Sequence, residues 1–175
     1  MTSSESFVIA AQTVLGVDTA SITFSALSTR YNQYFIVVVG RSSAAANTDT
    51  LIIQINANTT AYVNSMLFVT ASATVTASAS NTPTSITVGS IPANTATAGA
   101  AGAAMVAFLS STGTSDRNIG MTDFASSWIN TSTDLELRNG MTYLTLNNNS
   151  LDSIKIFLTT GNLKANTIAT LYGQI

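Results

Sequence analysis

The sequence predicts an all-β domain, an antiparallel two-sheet β-sandwich of about ten strands, and three observations predict it. Apolar residues alternate with polar ones at period two over short segments. Clusters of Asn, Gly, Ser and Pro punctuate the chain at the roughly 8–12-residue spacing of sandwiches and barrels. No βαβ alternation interrupts the pattern.

Taken in chain order, Phe7–Val14 is the first strand candidate, and Ser21-Ile22-Thr23-Phe24-Ser25 is the cleanest, with Ile22 and Phe24 on one face. Tyr34-Phe35-Ile36-Val37-Val38-Val39 is a continuous apolar run, too short for a membrane span and too β-branched for a good helix. It predicts a central strand with both faces covered. Leu51, Ile53 and Ile55 share one face of the next alternating run, and Tyr62–Thr70 follows as a further candidate. The low-complexity stretch 71–82, which opens ASATVTASA, fits either another strand or an exposed arm.

Further on, Ser85–Gly89, Ala103–Ser110, Asn118–Asp123 and Met141–Leu146 read as strands. Gly99–Ala104 reads as a loop running into a strand, because each glycine weakens a helix by about 1 kcal/mol relative to Ala. Leu135 and Leu137 alternate with Asp134, Glu136 and Arg138, which predicts a charged face in water. Ile154, Ile156 and Leu158 oppose Lys155 and Phe157, and Thr167–Gly173 is rich in β-formers, so the chain is expected to finish inside the sheet. With no internal repeat, solenoids and propellers are disfavoured. The whole of 1–175 reads as one domain with an extended N-terminal arm at 1–6.

Composition narrows what such a domain does. Hydrophobic residues make up 46 % of the chain and charged residues 8 %, against roughly 25 % charged in an ordinary soluble protein. Thr, Ala, Ser and Asn fill 89 of the 175 positions. Short side chains lose little rotamer entropy on burial, and the Lys and Glu that are scarce here are the residues depleted at interface cores. The composition therefore favours close contact between chains, and a homo-oligomer is expected. A net charge of −2 gives no basic surface for phosphates, so nucleic acid is not an expected partner. Met1–Ser6 has neither the basic nor the apolar region of a secretory leader, and no apolar stretch reaches the about 20 residues of a spanning helix, so no membrane association is expected.

Chemistry is thinly provided. The chain has no His and no Cys, which removes the commonest general base, zinc ligands and thiolate nucleophile together. The acids are Glu5, Asp18, Asp49, Asp116, Asp123, Asp134, Glu136 and Asp152. Only Asp134 and Glu136 form a close pair, on one strand face as a glycosidase or metal site would need. Arg138 continues that face, so a solvated ion-paired strand is the simpler reading. No loop has calcium-binding spacing, and Gly99-Ala100-Ala101-Gly102 lacks the Lys-Ser/Thr of a phosphate loop. Glycosylation triplets begin at Asn58, Asn130 and Asn148, but about as many are expected by chance in a chain this rich in Asn, Ser and Thr. Trp128 fits a sugar platform, an interface anchor or core packing. Arg30 and Arg41 flank the Tyr34–Val39 strand and mark its exits to solvent or an intersubunit salt link. No catalytic, cofactor-binding or metal residue is assigned, no cofactor is expected, and the chain is not expected to be an enzyme.

Three segments carry a resemblance. Ile22-Thr23-Phe24-Ser25-Ala26-Leu27-Ser28 is followed by the Tyr34–Val39 strand and Gly40-Arg41-Ser42; Leu151-Asp152-Ser153-Ile154-Lys155-Ile156 precedes Gly161-Asn162-Leu163; and the end reads Ala169-Thr170-Leu171-Tyr172-Gly173-Gln174-Ile175. Together they resemble small virion structural proteins of tailed bacteriophages, of the capsid decoration or cement type. The match touches both ends and leaves about 60–138 unsupported.

The resemblance implies a jelly-roll sandwich, made in the host cytoplasm and carried on the virion, that binds the major capsid protein and stabilises the head shell, with a trimer as the favoured oligomer. A tail-fibre or receptor-binding module and a single-jelly-roll shell subunit are the alternatives.

Overall fold

In the computed structural model, the described residues are 6–31, 33–60, 62–70, 75–80, 84–96, 101–110, 118–128, 135–145 and 151–174; over 101–110, 118–128 and 135–138, and at 70, 80, 143 and 145, the description is of the backbone. Among them the chain is all-β. Its strands are β1 Phe7–Val14, β2 Ser21–Ser25, β3 Gln33–Gly40, β4 Thr48–Ile55, β5 Tyr62–Thr70 and β6 Val75–Ser80, then β7 Ile86–Pro92, β8 Ala101–Ser110, β9 Asn118–Trp128, β10 Leu135–Thr145, β11 Ser153–Leu158 and β12 Ile168–Gln174. The segments read separately around Leu135–Arg138 and Met141–Leu146 are one strand, and half of the undecided stretch 71–82 is β6. Residues 1–5, 71–74 and 81–82 of the two expected arms lie outside the described residues.

The strands form two antiparallel sheets. One has eight strands in the order β1-β12-β3-β8-β9-β10-β5-β6, the other four in the order β2-β11-β4-β7. Consecutive strands β1 to β4 fall alternately in the two sheets, as do β11 and β12, so the chain crosses the sandwich repeatedly and the core gathers residues distant in sequence.

That core lies between the sheets. Ile22 and Phe24 of β2, Leu51, Ile53 and Ile55 of β4, Ile86, Val88 and Ile91 of β7, and Ile154, Ile156 and Leu158 of β11 meet Tyr34, Ile36 and Val38 of β3 and Ala169 and Leu171 of β12. The alternation read from the sequence is thus the inside face of the four-stranded sheet. Its outer face is polar where expected: Thr23, Lys155 and Gln54 occupy one register row across β2, β11 and β4.

Three local devices hold the frame. Gly173 sits where a Cβ would come within 2.5 Å of the Tyr31 ring, so glycine there lets the ring lie directly on β12. Tyr31 stands edge-on to Tyr34 at 5.5 Å. The turn after β4 places Asn56 and Ala57 at φ of 51° and 53°, the left-handed region that Asn tolerates best among residues with a Cβ. Asn56 Oδ1 accepts the amides of Asp152 and Ser153 at 2.8 and 2.9 Å, tying that turn to the start of β11. The fully buried Tyr62 closes the same turn: its hydroxyl accepts the Ile55 amide at 2.9 Å and lies 3.2 Å from the Asn58 carbonyl.

Candidate interaction surface

β3 departs from its expected environment in a way that defines the site. Both faces of Tyr34–Val39 were expected to be covered. Only one is: Tyr34, Ile36 and Val38 are buried, whereas Phe35 and Val37 are half-buried and Val39 is 44 % exposed. The strand is central, between β12 and β8, but the four-stranded sheet covers one side of it alone.

The open side continues across neighbouring strands. Register pairs Phe35 with Tyr172 and Tyr172 with Ile9, and it pairs Val39 with Ile168 and Ile168 with Val14. Phe7 is 54 % exposed, Ile9 62 % and Val14 58 %. Between these rows Gln12 Nε2 donates to Thr170 Oγ1 at 2.9 Å, so the one amide there is tied across the strands. Phe7, Phe35 and Tyr172 form an aromatic ladder with centroids 6.1 and 6.0 Å apart, tilted 55° and 54°. With Val37 they line a shallow apolar hollow of about 320 Å³. A shift in register between Ile9 and Ala11 brings Gln12 and Val14 onto the face of Phe7 and Ile9.

The same rows run to the far edge of the sheet. Phe35 pairs with Ala107, Ala107 with Thr122, Thr122 with Met141, Met141 with Ser65 and Ser65 with Ala79. Met141 is 69 % exposed, and Val63, Leu67 and Val75 are exposed around it. Across all eight described strands no register position on this face carries Asp, Glu, Lys or Arg.

The polar residues singled out in the sequence lie elsewhere. Asp134 lies outside the described residues, as do Asn130, Asn148, Glu5 and Asp116. Glu136 and Arg138 occupy β10 positions of the same parity as Gly140, Thr142 and Leu144, all buried. That is the opposite parity from exposed Met141, so neither residue stands in a row of the uncharged face. Trp128 ends β9, paired with Ala101 and Leu135 in the uncharged rows.

Arg41 does not exit to solvent. Its guanidinium donates to the carbonyls of Ala93 at 2.8 Å and Ala96 at 3.0 Å, holding the chain after β7. Arg30 is exposed and stacks over the Tyr31 ring at 4.5 Å. It borders a hollow of about 470 Å³ whose wall includes Thr23, Ser25, Ser28 and Tyr34. The Tyr34 hydroxyl donates to the Ser28 carbonyl at 2.6 Å. Burial, with Tyr31 beside it, raises the Tyr34 pKa above the usual phenol value. Asn58 accepts the Thr60 amide at 2.9 Å within its own turn.

Asp49 was missed as a singular acid. Only 5 % exposed, its carboxylate accepts Ser42 Oγ at 2.7 Å and the amides of Thr50, Thr160 and Gly161 at 2.8, 3.2 and 2.8 Å. It clasps the β11–β12 connection to the start of β4. Among the described residues, no three of His, Cys, Asp and Glu gather as a metal would need.

No family model matches the chain, and no curated protein does. Among solved structures, a chain of the infectious bursal disease virus Gt strain structure aligns at 10 % identity over 98 % of this chain with a TM-score of 0.15. This chain spans 42 % of that one, and a likeness of this size carries no argument.

Proposed function

We propose that the chain is a virion structural protein of a tailed bacteriophage, a decoration or cement subunit that works by docking in the particle and carries out no reaction. The observation that carries this reading is the uncharged outer face of the eight-stranded sheet, which suits a chain made for contact with other chains in an assembly. A free monomer rarely leaves an apolar patch beyond about 300–600 Å² open. Eight strands about 4.8 Å apart, each with about four outward positions, give a face of roughly 900 Å² in flat projection, most of its positions apolar and the rest uncharged polar residues such as Gln12, Thr170, Thr122 and Ser65.

The strand order supports the same reading. Set aside β5, β6, β9 and β10, and the remaining strands run β1-β12-β3-β8 and β2-β11-β4-β7. That order supports a jelly roll of two interlocked Greek keys, with two hairpins added that widen one sheet. The added strands extend the uncharged face and leave the polar face of the four-stranded sheet unchanged.

The mechanism is linkage. A protein that binds the assembled shell and not its dissociated subunits stabilises the shell by mass action. An antibody against this chain, read out with gold by electron microscopy on intact source particles, tests it. Gold over the heads is expected, and heads lacking the protein should rupture at lower temperature. Gold confined to tails would replace this reading with receptor binding, and unlabelled particles would remove the virion altogether.

A further inference from the structure

We infer that the occupant of the uncharged face is a second copy of this chain, stacked sheet on sheet about a twofold axis parallel to the strands. The inference rests on the face being an interface, and is independent of which particle the protein serves.

Three observations carry it. The first is area: the roughly 900 Å² face of one chain matches the about 800 Å² per partner that a stable pair buries. The second is charge. A face without Asp, Glu, Lys or Arg at any described register position neither repels its own copy nor offers an electrostatic handle to a charged partner.

The third is shape. The β1-β12-β3 end carries the bulky row of Ile9, Tyr172 and Phe35, and the β5-β6 end carries Ser65 and Ala79 in that same row. Rotation about an axis running along the strands between β8 and β9 lays β1 of one copy on β6 of the other. In that row Ile9 then meets Ala79 and Tyr172 meets Ser65, large side chains on small ones as facing layers fill space, while Phe35 meets Met141. Two copies of one twisted sheet stack with their strands within about 30°. Because a single continuous patch meets itself, the contact is isologous and closes at two copies, in contrast to the threefold ring that the resemblance implies.

Sedimentation equilibrium of the purified full chain tests this. A particle of twice the 18.1 kDa chain mass is expected. Ile9→Glu and Met141→Glu, at positions already exposed in the single chain, should each weaken the pair by about tenfold or more, with circular dichroism and Tm confirming that the fold is kept. Since the chain has no cysteine, an Ile9→Cys, Ala79→Cys double variant should join two chains with a short bismaleimide while neither single variant does.

A monomer at high concentration overturns the inference. So does a trimer, a dimer indifferent to both glutamates, a dimer that the double variant fails to cross-link, or a monomer that floats with phosphatidylcholine vesicles. A dimer absent from particles would instead sink the virion reading alone, and a monomer labelled on heads would sink this inference alone.

Discussion

Asp49 shows how a chain with few charges spends one of them inside. A carboxylate receiving a hydroxyl and three amides is held by charge-assisted bonds, each stronger than a neutral one. Asp49→Asn puts an amide among those donors, and a loss of about 2–4 kcal/mol is expected in urea unfolding. Asp18→Asn, where an exposed carboxylate takes only the Ala165 amide at 2.9 Å, should cost under about 1 kcal/mol. The tyrosines set an alkaline limit. Burial raises the pKa of Tyr62, and of Tyr34, above 10.0, so the unfolded chain loses these protons first. Their contribution is complete below pH 10 and is lost as pH rises through the raised folded values. Tm should therefore hold from neutrality to about pH 10 and fall beyond it. Tyr62→Phe should lower Tm at neutral pH, through the unpaired Ile55 amide, yet fall less steeply above pH 10.

At the scale of the element, protection should follow position in the sheets. β4 and β11 are flanked on both sides, with Leu51, Ile53, Ile55, Ile154 and Ile156 fully buried. β6 is an edge strand, exposed along Val75–Ala79 and paired on one side alone in the single chain. Hydrogen exchange should be slowest in β4 and β11 and fastest in β6 at concentrations where the chain is monomeric. Equal protection of β6 and β4 there would contradict the topology. The strands of the four-stranded sheet were legible because burial on one face writes a period of two into Ser21–Ser25 and Ser153–Leu158. β6 was not, because Ala, Ser and Thr fit strand and arm alike. The rows of Glu136 and Arg138 stayed unplaced for a related reason. Alternation reveals that a strand has two unlike faces, and only the register with β5 and β9 tells which rows each face joins.

For the whole molecule, composition predicts contact between chains and does not locate the surface. Apolar Tyr34–Val39 announced a strand covered on both sides, and the fold covers one. The uncovered side is the uncharged face, invisible in sequence because its rows join strands as distant as β1 and β10. An interface without charge has little for salt to screen. The oligomer should change its dissociation constant less than about threefold between 0.05 and 0.5 M sodium chloride, whereas sulfate should tighten it by strengthening apolar burial. A steep weakening with salt would point to charged surfaces instead.

Hydroxyl-radical footprinting of the assembled protein, against the same chain diluted until it is monomeric, addresses the central claim most directly. If the uncharged face is the working interface, oxidation of Phe7, Tyr172 and Met141 falls several-fold on assembly while Phe157, on the four-stranded sheet, changes little. Unchanged oxidation at Phe7, Tyr172 and Met141 in the assembled state would contradict the account.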